Sequence, residues 1–381
     1  MGIFEGTWVA APGELGPLRS TAPFGSGVLL EGAALHIVPP GHMLENVYVW
    51  RREGELLASN SLAGLLATAG LELDPATHYP PLMHRSVEGI TRTTIPTSSE
   101  AIEACFHDNL RLDLDGRLNA VPKPREEPFT SFSDYRRRVS GALESALANA
   151  AAYEPTVTIS SGYDGAAIAV LARELGCRSA LTIAEGKQVR GQPDRSDRGE
   201  SVGRRLGMEV GVVERLAYLR RTDLPEAEFL ATGFSGEEVV MSGMEEMLRG
   251  RMLVSGFFCD GMWWLNRPRR PILWRSDQSG SSLGECGACV NGFVHGPLTC
   301  FAGERQTDMD RISRSAEMRP WVLGRRYDKP IPRRILEEAG VPRGRSARSS
   351  AQPPARSTWM GRRCSRRRRG PRLTSSRRHR E

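Results

Sequence analysis

The sequence predicts an α/β fold, in which a doubly wound parallel sheet follows a smaller β-rich domain. From about residue 133 onward, β-branched segments alternate with helical segments, as in a sheet whose parallel strands are joined by crossover helices. Residues 1–121 instead contain short β-rich segments separated by glycines and charged turns. A chain of 381 residues is long enough to form two hydrophobic cores.

The stretch that carries most information is residues 156–176, TVTISSGYDGAAIAVLARELG. Its β-branched start predicts a buried strand, and residues 166–175 predict a helix that ends at Gly176. A strand, a tight polar loop and a helix present backbone N–H groups and a helix N-terminus to an anion. Asp164 in that loop would repel a phosphate unless a metal lay between them, so we expect bound Mg²⁺.

A second stretch, MLVSGFFCDG at residues 252–261, repeats the arrangement. An apolar strand again ends in a serine and a glycine, Ser255 and Gly256, and Asp260 follows shortly after. Ligands of parallel sheets lie beyond the carboxyl ends of the strands, where the strand order reverses. Both loops are therefore expected at one ligand-binding edge.

The two loops resemble those of the N-type ATP pyrophosphatases, and most closely those of asparagine synthetase-like proteins. The family's first loop reads Ser-Gly-Gly-x-Asp-Ser, which Ser160, Gly162 and Asp164 match, while Ser161 and Gly165 replace a glycine and a serine. Its second loop reads Ser-Gly-x-Gly-x-Asp. The resemblance covers most of residues 40–343 and implies an adenine nucleotide α-hydrolase-like sheet after a degenerate glutaminase-like domain.

The resemblance implies a site for ATP and Mg²⁺. Asp164 and Asp260 would be its catalytic residues and would hold the metal through their carboxylate oxygens. The residues implied to contact the nucleotide are Ser160, Ser161, Gly162, Tyr163, Gly165, Ser255 and Gly256.

The implied activity is that of an AMP-forming, ATP-dependent C–N ligase acting on small-molecule carboxylate and amine substrates. Glutamine-hydrolysing members expose a cysteine after the initiator methionine, and this chain has Gly2, so we expect ammonia or a substrate amine as nucleophile. Phe257 replaces the glutamate that positions the amine, which argues against asparagine as the product. Two other classes stay open: a tRNA-modifying enzyme of the same superfamily, and a catalytically inactive nucleotide-binding protein.

Local signals place the domain boundary and several elements. Three prolines at 122, 124 and 128 predict a boundary. Ser61 is the predicted N-cap of a helix over 62–69, which ends at Gly70. Ser133 is the predicted N-cap of a second helix, which runs to about residue 150. The further predicted elements are strands at 179–183 and 209–213 and helices at 194–206 and 237–249. The predicted regions are the β-rich domain 1–121, a linker 122–132, the ATP pyrophosphatase domain 133–343 and a tail 344–381.

The formal net charge of +7 is concentrated at one end of the chain. Residues 343–381 hold fourteen arginines and one acidic residue, a charge of 14 − 1 = +13, so residues 1–342 carry 7 − 13 = −6. We expect this arginine-rich run to be disordered. Nucleic acid is expected as a partner only if the run is part of the natural protein. A shifted reading frame in GC-rich coding sequence would also produce it, and would remove the lysine-bearing segment that the family places next.

Other features exclude classes of protein. No apolar run approaches the roughly 18–20 residues that span a bilayer, and no signal pattern opens the chain, so we expect a cytoplasmic protein without membrane partners. Seven cysteines fit reduced thiols better than a disulfide framework. Cys286 and Cys289, followed by His295 and Cys300, form only one ligand pair, which favours free thiols over a metal site. The oligomeric state is not determined by the sequence.

Overall fold

Three β-sheets organise the part of the chain that the structure describes, one parallel and two antiparallel. The computed structural model describes residues 1–10, 16–42, 45–79, 81–82, 85, 90–184, 198–220, 222, 243–266 and 292–341, all within one compact unit that spans Met1–Ala351. The second unit, Gln352–Glu381, lies outside the described residues, as do Cys286, Cys289 and residues 237–242 of the helix predicted at 237–249; the described part of that prediction is helical at Glu245–Leu248.

The parallel sheet has the strand order β12-β11-β10-β13-β14. The chain runs outward from β10 to β12 and then returns to β13 beside β10, so the strand order reverses between β10 and β13. The strands predicted at 179–183 and 209–213 are confirmed to within a residue. The five strands are β10 (Glu154–Thr158), β11 (Ser179–Ala184), β12 (Glu209–Glu214), β13 (Arg251–Ser255) and β14 (Val294–Pro297).

Both faces of the parallel sheet are buried, because alternate residues of a strand point to opposite sides. On β13, Met252 and Val254 belong to the main hydrophobic cluster, whereas Leu253 belongs to a second cluster with Leu181 and Leu248. Helices therefore cover both faces. The structure is a mixed α/β fold.

The N-terminal part forms the two antiparallel sheets, with strand orders β1-β2-β3-β8-β9 and β5-β4-β7-β6. Ile37 of the first sheet and Val49 of the second pack in one hydrophobic cluster between them. The strands are β1 (Gly2–Trp8), β2 (Pro23–Glu31), β3 (Ala34–Val38), β4 (Val47–Arg52), β5 (Glu55–Ser59), β6 (Arg92–Pro96), β7 (Ala101–Cys105), β8 (Asn109–Leu112) and β9 (Leu118–Val121). The division of the chain at residues 122–132 stays a prediction.

Helix caps follow the local sequence with one correction. Ser61 caps α1 by accepting a hydrogen bond from the Gly64 amide, as predicted, whereas α2 is capped by Ser131 and not by Ser133. The helices of the described residues are α1 (Leu62–Ala69), α2 (Phe132–Asn149), α3 (Tyr163–Glu174), α4 (Glu200–Arg205), α5 (Glu245–Leu248), α6 (Cys259–Trp263), α7 (Gln306–Ser313) and α8 (Pro330–Glu338). Single turns of 3₁₀ helix lie at Pro17–Arg19 and Ala217–Arg220, and longer ones at Leu298–Arg305 and Ala316–Trp321.

Candidate functional site

The first loop joins β10 to α3 at the carboxyl end of the sheet, as the sequence predicts. The Ser160 hydroxyl accepts a hydrogen bond from the Gly162 amide at 3.2 Å, which tightens the turn. Among the described residues no side chain caps the N-terminus of α3, so the amides of its first turn are left for another acceptor. The loop and helix together form a site of the kind that binds anions.

Glycine is required where the second loop meets the first. A Cβ atom on Gly256 would lie 3.2 Å from the Gly165 nitrogen and 3.3 Å from the Asp164 carbonyl carbon, tighter than most real contacts. The two loops meet because β10 and β13 are neighbours, with Val157 opposite Val254. Ser255 and Gly256 are therefore brought to the same place as residues 160–165.

Gly165 is also close to its own loop. A Cβ atom there would lie 3.3 Å from the Ser160 nitrogen and 3.4 Å from the Thr158 oxygen. The serine that the family carries at this position would need the loop to shift by a few tenths of an ångström.

Asp260 lies in the first turn of α6, directly after an unusual backbone conformation. Phe258 has a φ of 68°, in the left-handed region, at the position where the family signature has its second glycine. This conformation costs a non-glycine residue about 1–2 kcal/mol. Burial of the Phe258 side chain in the main hydrophobic cluster offsets that cost.

The structure joins Asp164 and Asp260 through a residue that the sequence reasoning missed. The Lys329 ammonium, only 1 % exposed, contacts carboxylate oxygens of both aspartates. Burial alone lowers the pKa of this amine, but the two carboxylates outweigh it and hold the pKa well above its usual value. A buried ammonium thus stands between the carboxylates.

Tyr327 completes the surroundings of the ammonium. Its hydroxyl donates to Asp260 Oδ1 at 2.9 Å, and the Lys329 Nζ lies 4.9 Å from the centre of its ring. Burial raises the pKa of this phenol, so Tyr327 stays a hydrogen-bond donor at neutral pH. A cation over an aromatic face is stabilised by the ring quadrupole.

A buried ion pair holds the segment that carries Lys329. Asp328 is fully buried and accepts hydrogen bonds from the Leu323 amide at 2.7 Å and from Arg333 Nη1 at 2.8 Å. Arg333, on α8, also lies over the Tyr163 ring, with 5.1 Å from its guanidinium carbon to the ring centre. The Tyr163 side chain therefore supports α8.

Two departures from the resembled family, Phe257 and Gly2, have a structural explanation or consequence. Phe257, which stands where the family has a glutamate, is half-buried against the main cluster, and its carbonyl accepts a hydrogen bond from Thr299. Gly2 lies in β1, where a Cβ atom would be 2.5 Å from the Val28 oxygen. A cysteine at position 2 would therefore not fit without moving the strand. Glu317 pairs with Arg334 and caps the Phe132 amide, which is a structural role.

The carboxylates suit Mg²⁺ only with ligands from elsewhere. Within the described ranges, no group of three or more histidine, cysteine, aspartate or glutamate side chains is arranged to hold a metal. Asp164 and Asp260 supply oxygens, the atoms Mg²⁺ prefers, and this ion usually takes its remaining ligands from water and substrate phosphates. The residues present fit an ion that arrives with a nucleotide.

The rarity of lysine in this sequence could have drawn attention to Lys329. The chain has only three lysines among its 52 basic residues, and two of these, Lys123 and Lys329, are buried in the structure. In a chain that uses arginine almost everywhere else, a lysine indicates a position where a compact amine is preferred to a guanidinium.

The comparisons with known proteins give little. No family profile and no curated protein matches the chain. Among solved structures, it is similar to a glutamine-dependent NAD⁺ synthetase from Acinetobacter baumannii in complex with ADP, at 11% sequence identity and a TM-score of 0.23. The match covers 62% of this chain and 60% of that one, so the chain spans about three fifths of that structure's length. Within the described residues, no helix is long and apolar enough to cross a membrane.

Proposed function

We propose that the chain is an ATP-dependent, AMP-forming C–N ligase of the asparagine synthetase-like kind, without a glutaminase of its own. The observation that carries the proposal is the contact of one buried ammonium, that of Lys329, with Asp164 and Asp260. These three residues come from three separate segments and meet where the strand order reverses, which is where ligands of such sheets bind. The proposed fold is the adenine nucleotide α-hydrolase type.

The groups around this point suit a polyphosphate. The uncapped first turn of α3 offers backbone amides, and Ser160, Ser161 and Ser255 offer hydroxyls at the ends of β10 and β13. Lys329 adds a positive charge in a site of low dielectric constant, where charge interactions are strong. Together these donors would stabilise the charge that develops on a leaving pyrophosphate.

The proposed reaction has two steps. An oxygen of the substrate carboxylate attacks the α-phosphorus of ATP, the bond from that phosphorus to the bridging oxygen breaks, and pyrophosphate leaves with the electron pair. An amine nitrogen then attacks the acyl carbon and loses a proton, and AMP leaves with the electrons of the acyl–oxygen bond. Lys329 and the α3 amides would bind the pyrophosphate formed in the first step.

Asp164 and Asp260 would hold Mg²⁺ together with phosphate oxygens. The metal would neutralise part of the phosphate charge. Without it, the two carboxylates would repel the phosphates. Their contact with Lys329 keeps them in place before a nucleotide binds. Because Gly2 has no thiol, the amine would come from ammonia or from the substrate.

One observation favours a second function, that of an inactive nucleotide-binding protein. Phe257 offers no carboxylate at the position where the family holds its amine, and its side chain packs against the main hydrophobic cluster instead. The nucleotide site does not depend on that position. Binding without turnover would indicate this second function.

The first experiment measures calorimetric binding of α,β-methylene-ATP, which cannot release pyrophosphate, with and without Mg²⁺. We expect Mg²⁺-dependent binding to the wild type that weakens about tenfold or more in Asp164→Asn and Asp260→Asn, since charge-assisted interactions of this kind are worth about 1.5–3 kcal/mol. The matched control is Asp115→Asn, an exposed aspartate in the turn after β8, which should bind as the wild type does.

Two results would overturn the nucleotide site: no binding to folded wild type, or equal binding by all three variants. Where binding holds, pyrophosphate release from ATP is assayed with mixtures of carboxylates and amines. Release that requires Asp164 supports the ligase. Binding with no release from any mixture supports the inactive binding protein.

A further inference from the structure

A buried histidine contacts the serine at the end of β13. β13 and β14 are parallel neighbours, with Leu253 opposite His295, and this register places the His295 Nε2 atom 2.7 Å from the Ser255 hydroxyl oxygen. Ser255 is 8% exposed and His295 is 5% exposed. A hydrogen bond in this position fixes both side chains, and its direction decides what Ser255 can do next.

His295 carries one ring proton at neutral pH. Burial lowers its pKa to about 4, so the ring is neutral and holds the proton on either Nδ1 or Nε2. The Nδ1 atom is buried and has no hydrogen-bond partner among the described residues. A proton on Nδ1 would be a buried donor without an acceptor, and buried N–H groups of that kind are rare.

The proton therefore belongs on Nε2, and this sets the polarity of the contact. In this tautomer His295 donates to the Ser255 oxygen, and the serine hydrogen is left to point at another acceptor. Ser255 is the last residue of β13, and Gly256 after it packs against the backbone of Asp164 and Gly165. An acceptor in the first loop's anion site is within the reach of this strand end.

We propose that His295 is a positioning residue that holds its proton on Nε2 and thereby makes the Ser255 hydroxyl a hydrogen-bond donor to the phosphates of a bound nucleotide. The identity of the ligand rests on the function proposed above, whereas the direction of the hydrogen bond does not. The opposite direction, with Ser255 donating to His295, would instead make the pair a nucleophile and its base.

The direction is measured in the unliganded wild type by NMR of protein labelled with ¹⁵N only in histidine. Long-range ¹H–¹⁵N correlations distinguish the two neutral tautomers, and the chain has only seven histidines, so the spectrum of His295→Gln assigns the signal. We expect the Nε2–H pattern. A Nδ1–H pattern overturns the proposal whatever the protein binds.

The role in binding is measured with α,β-methylene-ATP. We expect Ser255→Ala to weaken binding about tenfold, and His295→Leu to do the same because it can no longer orient the hydroxyl. His295→Gln should restore most of the affinity, since its amide nitrogen can donate to the serine oxygen. The double variant Ser255→Ala/His295→Leu should bind no more weakly than either single variant, because the two substitutions remove the same interaction with the nucleotide.

These arms separate failure of the inference from failure of the proposed function. Wild type that shows the Nε2–H pattern but binds no nucleotide overturns the ligand, and with it the proposed function. Wild type that binds nucleotide while His295→Leu, shown to be folded by its thermal midpoint, binds equally well overturns the role of His295 alone. Affinity that His295→Gln does not restore also overturns it.

Discussion

Lys329 lies 165 positions after Asp164 in the chain, yet its buried ammonium donates a hydrogen bond to the partly exposed Asp164 carboxylate. The same nitrogen contacts Asp260 of the other loop. The two strand-end loops are therefore held to each other by a residue that belongs to neither. Whatever binds at this edge meets a site whose charge is already balanced in part.

Removing this ammonium should destabilise the protein and weaken nucleotide binding. Lys329→Met removes the ammonium that contacts both carboxylates, and loss of one partner of a buried ion pair typically costs about 3–5 kcal/mol. The carboxylates are 23% and 39% exposed, so we expect a fall in the free energy of unfolding of about 2–3 kcal/mol. Urea unfolding measures it, with Lys329→Arg as the variant that keeps the charge.

The same variant makes a second prediction about Mg²⁺. Without the ammonium, the paired carboxylates should accept a metal ion more readily, so added Mg²⁺ should raise the thermal midpoint of Lys329→Met more than that of the wild type. Equal shifts in the two proteins would mean that Lys329 does not occupy the place where a cation binds.

The buried pair behind Lys329 should matter more for stability than exposed pairs of the same type. Asp328→Asn keeps the size of the side chain but leaves Arg333, 2% exposed, without its counter-charge, and we expect a loss of about 3 kcal/mol. Asp310→Asn is the control, because Asp310 and Arg314 form an exposed pair that should contribute less than about 1 kcal/mol. Equal urea midpoints for the two variants would contradict this assignment.

The N-cap of α2 offers a test with its own internal control. The Ser131 hydroxyl accepts a hydrogen bond from the Asp134 amide, whereas Ser133 is an exposed residue of the first turn. We expect Ser131→Ala to lower the free energy of unfolding by about 1 kcal/mol and Ser133→Ala by less than about 0.5 kcal/mol. The reverse order would show that the helix begins where the sequence alone suggested.

This cap shows what the sequence could and could not predict. Strands, helices and the order of the two loops follow from local patterns, so β10, β11, β12 and α1 were predicted to within a few residues. The predicted cap of α2 is misplaced by two residues because Ser131 and Ser133 carry the same signal, and the structure gives Ser131 the extended backbone of an N-cap, with φ −152° and ψ 171°. Element boundaries are the part of a fold that local sequence determines least.

The sequence predicts that the loops bearing Asp164 and Asp260 lie at one edge of the sheet, but it does not indicate the ammonium between them. Asp164 and Asp260 follow apolar strands, and a parallel sheet brings such positions together whatever lies between them in the chain. Lys329 has no such strand before it, since it immediately precedes α8 and reaches the site only because Asp328 and Arg333 fix that segment. A contact of this kind depends on tertiary packing, which periodicity does not reveal.

Lys123, in the segment predicted as a linker, should make stability depend on pH. The side chain is 4% exposed and its ammonium donates to the Asn109 side chain, and burial lowers its pKa to about 7, which nearby Asp108 opposes only in part. An unfolded lysine has a pKa of about 10.4, so between about pH 7 and pH 10 the unfolded chain binds more protons than the folded one. Stability should therefore rise with pH across this window, by up to about 1.4 kcal/mol per unit, and be lost as the pH falls through it.

Other groups also titrate in this range, so the prediction is a difference between two proteins. Burial raises the pKa of the Cys105 thiol to about 11, which gives a slope of opposite sign that is common to wild type and variant. Lys123→Met has no amine at this position, so it lacks the rise of stability with pH that Lys123 gives the wild type. The free energy of unfolding of the variant relative to the wild type should therefore be greatest near pH 7 and should decrease as the pH rises. Urea unfolding at several pH values measures this, with the exposed Arg125→Met as the control that should run parallel to the wild type. If Lys123→Met also ran parallel to the wild type, the amine would be charged in the folded protein and the 122–132 segment would not bury it as a neutral group.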